Sequence, residues 1–189
     1  LVHTRATTND VWILPGSLAP GLAADFYAEV SEELHARGAR VVLDTSGPAL
    51  RRGCAAHPLL VKPNVVEAEE FTGLMIRSVE TAAAAAAAFL DAGAQNVILS
   101  MGKDGAIVAG SGELLHLQPP TVTVKTAVGA GDAVVAGAVW ALLQGLPTRE
   151  VGLWGVTTGT VTAMHDDLQP QNRAELDAVQ QQVTVRVLA

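Results

Sequence analysis

The chain has 189 residues, 49% of them apolar and 16% charged, with 12 Lys and Arg against 19 Asp and Glu for a formal net charge of -7. That is the size of one ordinary domain. The longest apolar run, Ala133 to Leu143, stops at eleven residues, short of the roughly 18 that a membrane span requires, and scattered basic residues with a pI near 5.1 make no nucleic-acid surface.

Taken in chain order, Val11-Trp-Ile-Leu14 is a short apolar run closed by Pro15 and Gly16, which predicts a buried strand ending in a turn. Leu22, Phe26, Val30 and Leu34 recur every four positions and Gly38 follows, which predicts a helix over 22–34 with a glycine stop. Strands are expected at Arg40 to Asp44, Leu59 to Val61 and Asn96 to Ser100. All four runs are continuously apolar rather than alternating, the pattern of strands buried on both faces in a parallel sheet. Val79 to Asp91 carries seven successive alanines, Ala82 to Ala88, and reads as a tightly packed helix. Ala106 to Ala109 and Leu114 to Leu117 flank Gly110-Ser-Gly112 as a hairpin. Thr121 to Lys125 is β-branched and is expected to be a further strand, an antiparallel edge. Helices are predicted over Asp132 to Gln144, Glu150 to Met164 and Asn172 to Gln181, with a last strand over Val183 to Leu188. This alternation implies an α/β layered fold with right-handed crossovers, in which ligands sit beyond the carboxyl ends of the strands.

Five segments at such ends could carry chemistry. In Ala127-Val128-Gly129-Ala130-Gly131-Asp132, three small residues let the backbone turn sharply and offer its N–H groups to an anion at a helix start. Asp132 there is placed to take a proton from an attacking hydroxyl, as in phosphoryl transfer to an alcohol; the commoner use of Asp at such a place is as an N-cap. Lys62-Pro63-Asn64-Val65-Val66-Glu67 offers a point charge for phosphate and hard oxygens for Mg²⁺, or else a turn with Glu67 at a helix dipole. Ser100-Met101-Gly102-Lys103-Asp104-Gly105 is a glycine loop that could pass close to a nucleotide or simply enter a hairpin. Pro15 to Gly21 and Asp44-Thr45-Ser46-Gly47 complete the set, each equally readable as an ordinary turn. Cys54, the sole cysteine, cannot form an internal disulfide, and no Cys/His spacing resembles a zinc site, which fits a reducing, cytoplasmic setting. His165-Asp166-Asp167 is expected to be a polar surface loop rather than a metal site, His3, His35, His57 and His116 carry no ligand spacing, and Trp12, Trp140 and Trp154 are expected to fill core positions.

In this order, the five segments resemble the PfkB branch of the ribokinase-like carbohydrate kinases, from about Val11 onward. The most specific element is Val128-Gly-Ala-Gly-Asp132 followed by Ala133, Ala136 and Gly137; Asn64 with Glu67 matches the family's N-x-x-E motif, and Ser100, Gly102 and Gly105 match its S-x-G-x-x-G loop. Gly16-Ser-Leu18 and Asp44-Thr-Ser-Gly47 are similar to the sugar-phosphate kinases of that branch in particular, the phosphofructokinases and tagatose-6-phosphate kinase. The resemblance implies a ribokinase-like fold, a mainly parallel sheet flanked by helices, with residues 1–189 forming a single, partial PfkB-type domain.

Carried over residue by residue, the resemblance makes Asp132 the catalytic base that also meets the sugar hydroxyl. Gly129, Ala130 and Gly131 become the anion hole, and Lys62, Asn64, Ser100, Gly102, Lys103, Asp104 and Gly105 the ATP-binding residues. Ser17 becomes a sugar-phosphate contact, while Asn64 and Glu67 organise Mg²⁺ through water. Some members hold a monovalent cation, K⁺, at the places of Thr126 and Val128. The implied reaction is ATP-dependent phosphorylation of a phosphorylated ketohexose, with fructose 1-phosphate first and tagatose 6-phosphate, fructose 6-phosphate or another sugar or nucleoside as alternatives. A cytoplasmic homodimer is the implied assembly, with no nucleic-acid or membrane partner. Three departures stand beside this. Ala19 replaces a usual Pro, no Pro-Gly-Thr follows Met164, and the family's N-terminal strands, lid and Gly-Gly-x-x-x-Asn stretch do not occur before Val11. A start at Leu1 with no signal-peptide pattern is read as a chain beginning inside a longer gene product, and a catalytically inert fragment that keeps only a nucleotide site is the alternative reading.

Overall fold

The computed structural model describes residues 6–167 and 172–188; His3 and the 168–170 part of the polar loop lie outside them. The chain divides into two compact units. One comprises the residues up to Leu99 with Ala109–Ser111, the other Ser100–Val108 with the residues from Gly112 onward.

In the first unit, β1 (Val11–Pro15), β2 (Arg40–Asp44), β3 (Leu60–Val61) and β4 (Asn96–Ser100) lie side by side in that order. Each neighbouring pair is parallel, with Ile13 opposite Val42, Leu43 opposite Val61, and Val61 opposite Val97. Val41, Val42, Leu43, Leu60, Val61, Val97, Ile98 and Leu99 are all inaccessible to solvent. Successive side chains point to opposite faces of a strand, so an unbroken buried run means that both faces are covered. Helices α1 (Phe26–Ala36) and α2 (Gly47–Cys54) pack on β2, and α3 (Val65–Thr72) and α4 (Val79–Asp91) pack on each other. In α4 the alanines Ala82, Ala85 and Ala86, together with Phe89, are fully buried. Small side chains on one stripe let this helix approach its neighbours closely, so the alanine run is a packed surface.

Four expectations for this unit are corrected. The first strand is an edge: β1 pairs with β2, and Ile13 is 42% exposed, because covering both faces requires neighbours that β1 has on one side only among the described residues. The first helix begins at Phe26 rather than Leu22, since residues 19–26 form turns closed by Leu22 N–H to the Ala19 carbonyl and Phe26 N–H to the Ala23 carbonyl. Helix α2 has no counterpart among the predicted elements. Its Gly47, Pro48 and Gly53 are poor helix formers, yet Pro48 sits in the first turn where it costs no hydrogen bond. Ala49, Leu50, Gly53 and Cys54 give it a buried stripe, with Arg51 and Arg52 outside. Trp12 is half-buried, packed beside Leu34, Ala39 and Val41, rather than in the core. Cys54 itself is fully buried, which pushes its thiol up to about 12 even though Arg51 works in the opposite direction.

The second unit holds the first three residues of β5 (Ala106–Gly110), then β6 (Glu113–Gln118) and β7 (Thr184–Val187), which follow in that spatial order. The Ser111-Gly112 turn links the first two, and β6 and β7 are antiparallel with Leu117 opposite Val185. Helices α5 (Ala130–Leu143), α6 (Thr148–Ala163) and α7 (Arg173–Gln180) complete it. Gly137 of α5 sits where a Cβ would collide with the Thr158 hydroxyl and lie 2.5 Å from the Trp154 carbonyl oxygen of α6. Contact that close needs a residue without a side chain. The expected strand over Thr121–Lys125 does not form: residues 119–127 are irregular, and the amides of Lys125 and Thr126 donate to the Ala163 carbonyl at the end of α6 at 2.8 and 3.4 Å. A helix terminus with unsatisfied carbonyls competes here with a strand ladder and outweighs β propensity. Trp140 is 44% exposed rather than in the core; its ring lies 4.5 Å from that of the half-buried Trp154, over which the Arg173 guanidinium sits at 5.4 Å. His165 meets both oxygens of Glu175 at 2.9 and 3.0 Å and Lys125 meets Asp166 at 3.4 Å. These are surface pairings, and no group of three metal-capable side chains occurs among the described residues. Nor, among them, is any helix long and apolar enough to cross a membrane.

Lys62, 7% exposed, follows β3 and its ammonium lies 3.1 Å from Asp44 Oδ1 at the end of β2, with side chains 8% and 17% exposed. Breaking a buried pair from one side leaves a charge without its counter-ion. Lys62→Met is therefore expected to destabilise the chain by about 3 kcal/mol, and Lys62→Met with Asp44→Leu to recover most of that loss; urea unfolding of the two variants checks both values. Gly137→Ala gains helix propensity of up to about 1 kcal/mol but must push α5 off the Trp154 carbonyl, so a net loss of about 1–2 kcal/mol is expected. A Tm at or above the parent's would refute that packing argument.

Candidate functional site

The carboxyl ends of β1, β2 and β3 gather three of the five segments within the first unit. Gly16 N–H donates to the Asp44 carbonyl at 2.7 Å, which brings the turn after β1 beside the end of β2. The Tyr27 hydroxyl from α1 donates to the carbonyls of Pro15 and Gly16 at 3.0 and 3.3 Å, pinning the same turn from the helix side. Ser17 follows in that turn and is exposed. Thr45, next to Asp44, is 4% exposed and its hydroxyl has no hydrogen-bond partner.

Beyond β3, Asn64 and Glu67 close a reciprocal capping box at the start of α3: Glu67 N–H donates to Asn64 Oδ1, and Asn64 N–H donates to Glu67 Oε2, each at 2.9 Å. Two of the four orphan amides of a helix start are satisfied this way. The box leaves Glu67 Oε1 and the Asn64 amide nitrogen outside it, so a cation here would meet Glu67 through one oxygen or through its water shell, which suits the reluctance of Mg²⁺ to lose water. Lys62 stands two residues before the box and is held by Asp44 rather than projecting freely. The Asp44–Lys62 contact was invisible in the sequence, because the two residues are brought together only by the parallel pairing of β2 and β3.

The other two segments lie in the second unit. Gly129 is the N-cap of α5, in the left-handed region at φ 76° and ψ -8°, where a Cβ is strongly disfavoured. The approach is shaped by Thr126, whose hydroxyl accepts from Val128 N–H at 3.1 Å, and by Ala130 N–H donating to the Ala127 carbonyl at 3.3 Å. The ordinary helical ladder begins with Ala133 N–H to the Gly129 carbonyl at 2.9 Å. Gly131 and Asp132 therefore sit in the first turn, where amides have no partner inside the helix and the positive end of the dipole is concentrated. The N-cap reading of Asp132 is corrected. The helix starts two residues earlier than the sequence indicates, Asp132 is its third residue, and no side chain caps it. Its carboxylate is exposed at a place that favours negative charge.

The Ser100–Gly105 loop follows β4 as a single 3-10 turn over Gly102–Asp104. Met101 N–H donates to the Gly105 carbonyl at 2.8 Å and Gly105 N–H to the Gly102 carbonyl at 3.0 Å. Gly105 has φ 84° and packs so tightly on β6 that a Cβ would collide with the Leu117 carbonyl. Lys103 and Asp104 are exposed. His116 and Gln118, for which the sequence suggests no role, touch this loop from β6. Their alternation with the buried Leu115 and Leu117 was the available signal, a polar face opposite an apolar one.

The model of the pfkB family of carbohydrate kinases matches residues 4–174. The 1-phosphofructokinase of Bacillus subtilis is 38% identical over 160 residues, covering 85% of this chain and 53% of its own length. That of Rhodobacter capsulatus is 38% identical over 180 residues, or 94% of this chain and 56% of its own. The chain thus spans about half the length of the curated relatives it matches. Phosphofructokinase-2 from Escherichia coli, solved in complex with potassium, superposes with a TM-score of 0.86 over 93% of this chain and 57% of its own, at 24% identity, and so shares the fold. The expected ribokinase-like α/β architecture is therefore present. With the family model extending over most of its length, the chain belongs to the pfkB family of carbohydrate kinases.

Proposed function

We propose that residues 1–189 are a partial catalytic domain of an ATP-dependent, Mg²⁺-requiring kinase that phosphorylates a phosphorylated ketohexose, with fructose 1-phosphate converted to fructose 1,6-bisphosphate. The observation that carries the reading is the start of α5: a left-handed Gly129, first-turn amides at Gly131 and Asp132, and an exposed Asp132 carboxylate beside them. The likeness to the 1-phosphofructokinases supports the choice of sugar phosphate.

In this reading Asp132 accepts the proton of the sugar hydroxyl as that oxygen bonds to the γ-phosphorus. The bond from γ-phosphorus to the β–γ bridging oxygen breaks, and ADP leaves with its electron pair. The anion hole of Gly129, Ala130 and Gly131, with the first-turn amides and the positive helix end, stabilises charge on the equatorial oxygens. Ser100, Gly102, Lys103, Asp104 and Gly105 hold the nucleotide, with Lys62 and Asn64 at its phosphates. Ser17 meets the phosphate already on the sugar. Asn64 and Glu67 would hold Mg²⁺ through its water shell, where the ion would supply charge neutralisation for the transferring phosphates. Thr126 and Val128 are the candidates for a monovalent cation, and the reading takes the enzyme to be a cytoplasmic homodimer.

A second reading has a specific observation behind it. Because the chain spans about half the length of its relatives, it could bind nucleotide without turning over. Incubating the 189-residue chain with ATP, Mg²⁺ and fructose 1-phosphate decides this, since ADP formed in proportion to sugar removes the inert reading. For the leading proposal, Asp132→Asn in the full chain is expected to lower kcat by about 10²-fold or more while leaving MgATP affinity within two-fold. Turnover within a few-fold of the parent would reject Asp132 as the base. A kcat/KM for tagatose 6-phosphate or fructose 6-phosphate above that for fructose 1-phosphate would reassign the substrate.

A further inference from the structure

Every backbone carbonyl from Met101 to Gly105 has a partner, and the partners are of two kinds. Those of Met101, Gly102 and Gly105 accept from amides within the loop, from Asp104, Gly105 and Met101 respectively. The remaining two, on Lys103 and Asp104, accept from side chains of β6: Gln118 Nε2 donates to the Lys103 carbonyl at 2.7 Å, and His116 Nε2 lies 2.9 Å from the Asp104 carbonyl. A carbonyl can only accept, so Nε2 of His116 carries the proton. Both donors project from one face of β6, while Leu115 and Leu117 between and beside them are buried on the other. The Leu117 carbonyl meanwhile blocks any side chain at position 105.

We infer that His116 and Gln118 are positioning residues that hold the Ser100–Gly105 loop in its nucleotide-binding shape from β6, without touching the nucleotide themselves. The inference rests on the nucleotide role proposed for that loop. A loop clamped at two adjacent carbonyls loses its disorder on folding rather than on binding, and the ordering cost is then absent from the affinity for ligand. Lys103 and Asp104 lie at the tip, with their side chains in solvent and their backbones fixed from behind. Release of the clamp returns the ordering cost to the nucleotide-binding step alone. The residues at the ends of β1, β2 and β3 are unaffected.

The experiment measures MgATP binding by calorimetry and steady-state kinetics on the full chain, for the parent and for His116→Leu, His116→Gln and Gln118→Met. Loss of each donor is expected to raise the Kd and KM for MgATP by about five-fold. The KM for sugar phosphate, kcat at saturating ATP and Tm stay at parental values, and His116→Gln, which keeps an N–H at similar reach, restores most of the affinity. A purely structural role would lower Tm and move both KM values together, and that result overturns the inference. So does MgATP affinity within two-fold of the parent in Gln118→Met, which decides the matter if His116→Leu fails to fold. Failure of the parent itself to bind MgATP sinks the nucleotide role of the loop instead, a different result from parental affinity in the variants.

Discussion

A strand buried on both faces can present polar chemistry only at its ends, and that constraint arranges this protein. Val41 to Leu43, Leu60 to Val61 and Val97 to Leu99 are sealed from water, so nothing polar can emerge along their length without an unsatisfied group in the core. Charge and hydrogen-bonding capacity collect where the apolar runs stop, at Asp44, Lys62 and the Asn64–Glu67 box. The parallel direction of β1 to β4 puts these stops at the same edge, which is why segments far apart in the chain can serve a common chemistry. The Asp44–Lys62 pair is the consequence with the highest stakes. Two charges removed from water must satisfy each other, and in doing so they fix the ends of two strands.

The second unit solves a different problem, that of holding backbone amides and carbonyls in non-repetitive shapes. Two glycines do this with a single property each. Gly129 supplies the left-handed residue that lets α5 start abruptly, leaving first-turn amides available to an anion. Gly105 supplies the missing Cβ that lets the preceding loop lie flat on β6. Neither position could be filled by another residue without strain. Around them the fastening is by side chains whose identity is chemically plain, Thr126 at the approach to α5 and His116 with Gln118 behind the loop. Loops that act on phosphates gain from such prior ordering, since their energy of interaction is then available for the transition state rather than for closing the loop.

Much of this was legible in the residues. The continuous apolar runs announced parallel strands because alternation is absent when both faces are covered, and the alanine run announced α4 because Ala is the best helix former. The glycine-rich turn before α5 announced an abrupt helix start, because the left-handed backbone found at Gly129 is one that residues with a side chain rarely adopt. What failed to show was of one kind. Helix α2 is built from poor helix formers and exists because Leu50 and Cys54 have a sheet to lie on. Thr121 to Lys125 has the composition of a strand but spends its amides on the carbonyl at the end of α6. Trp140 has the composition of a core residue and lies 44% exposed against Trp154.

By itself the sequence determined the class of fold and most of its elements, because these follow from periodicity and from local backbone rules that act over a few residues, while the resemblance of its ordered motifs pointed to the family. Only the tertiary structure decided that Lys62 is a buried partner of Asp44, that Asp132 is the third residue of its helix rather than its cap, and that His116 and Gln118 serve a loop more than ten residues away. Each of these depends on which backbone group a side chain finds across a strand pair or a turn, and hydrogen bonds and ion pairs are satisfied in space, without regard to separation along the chain.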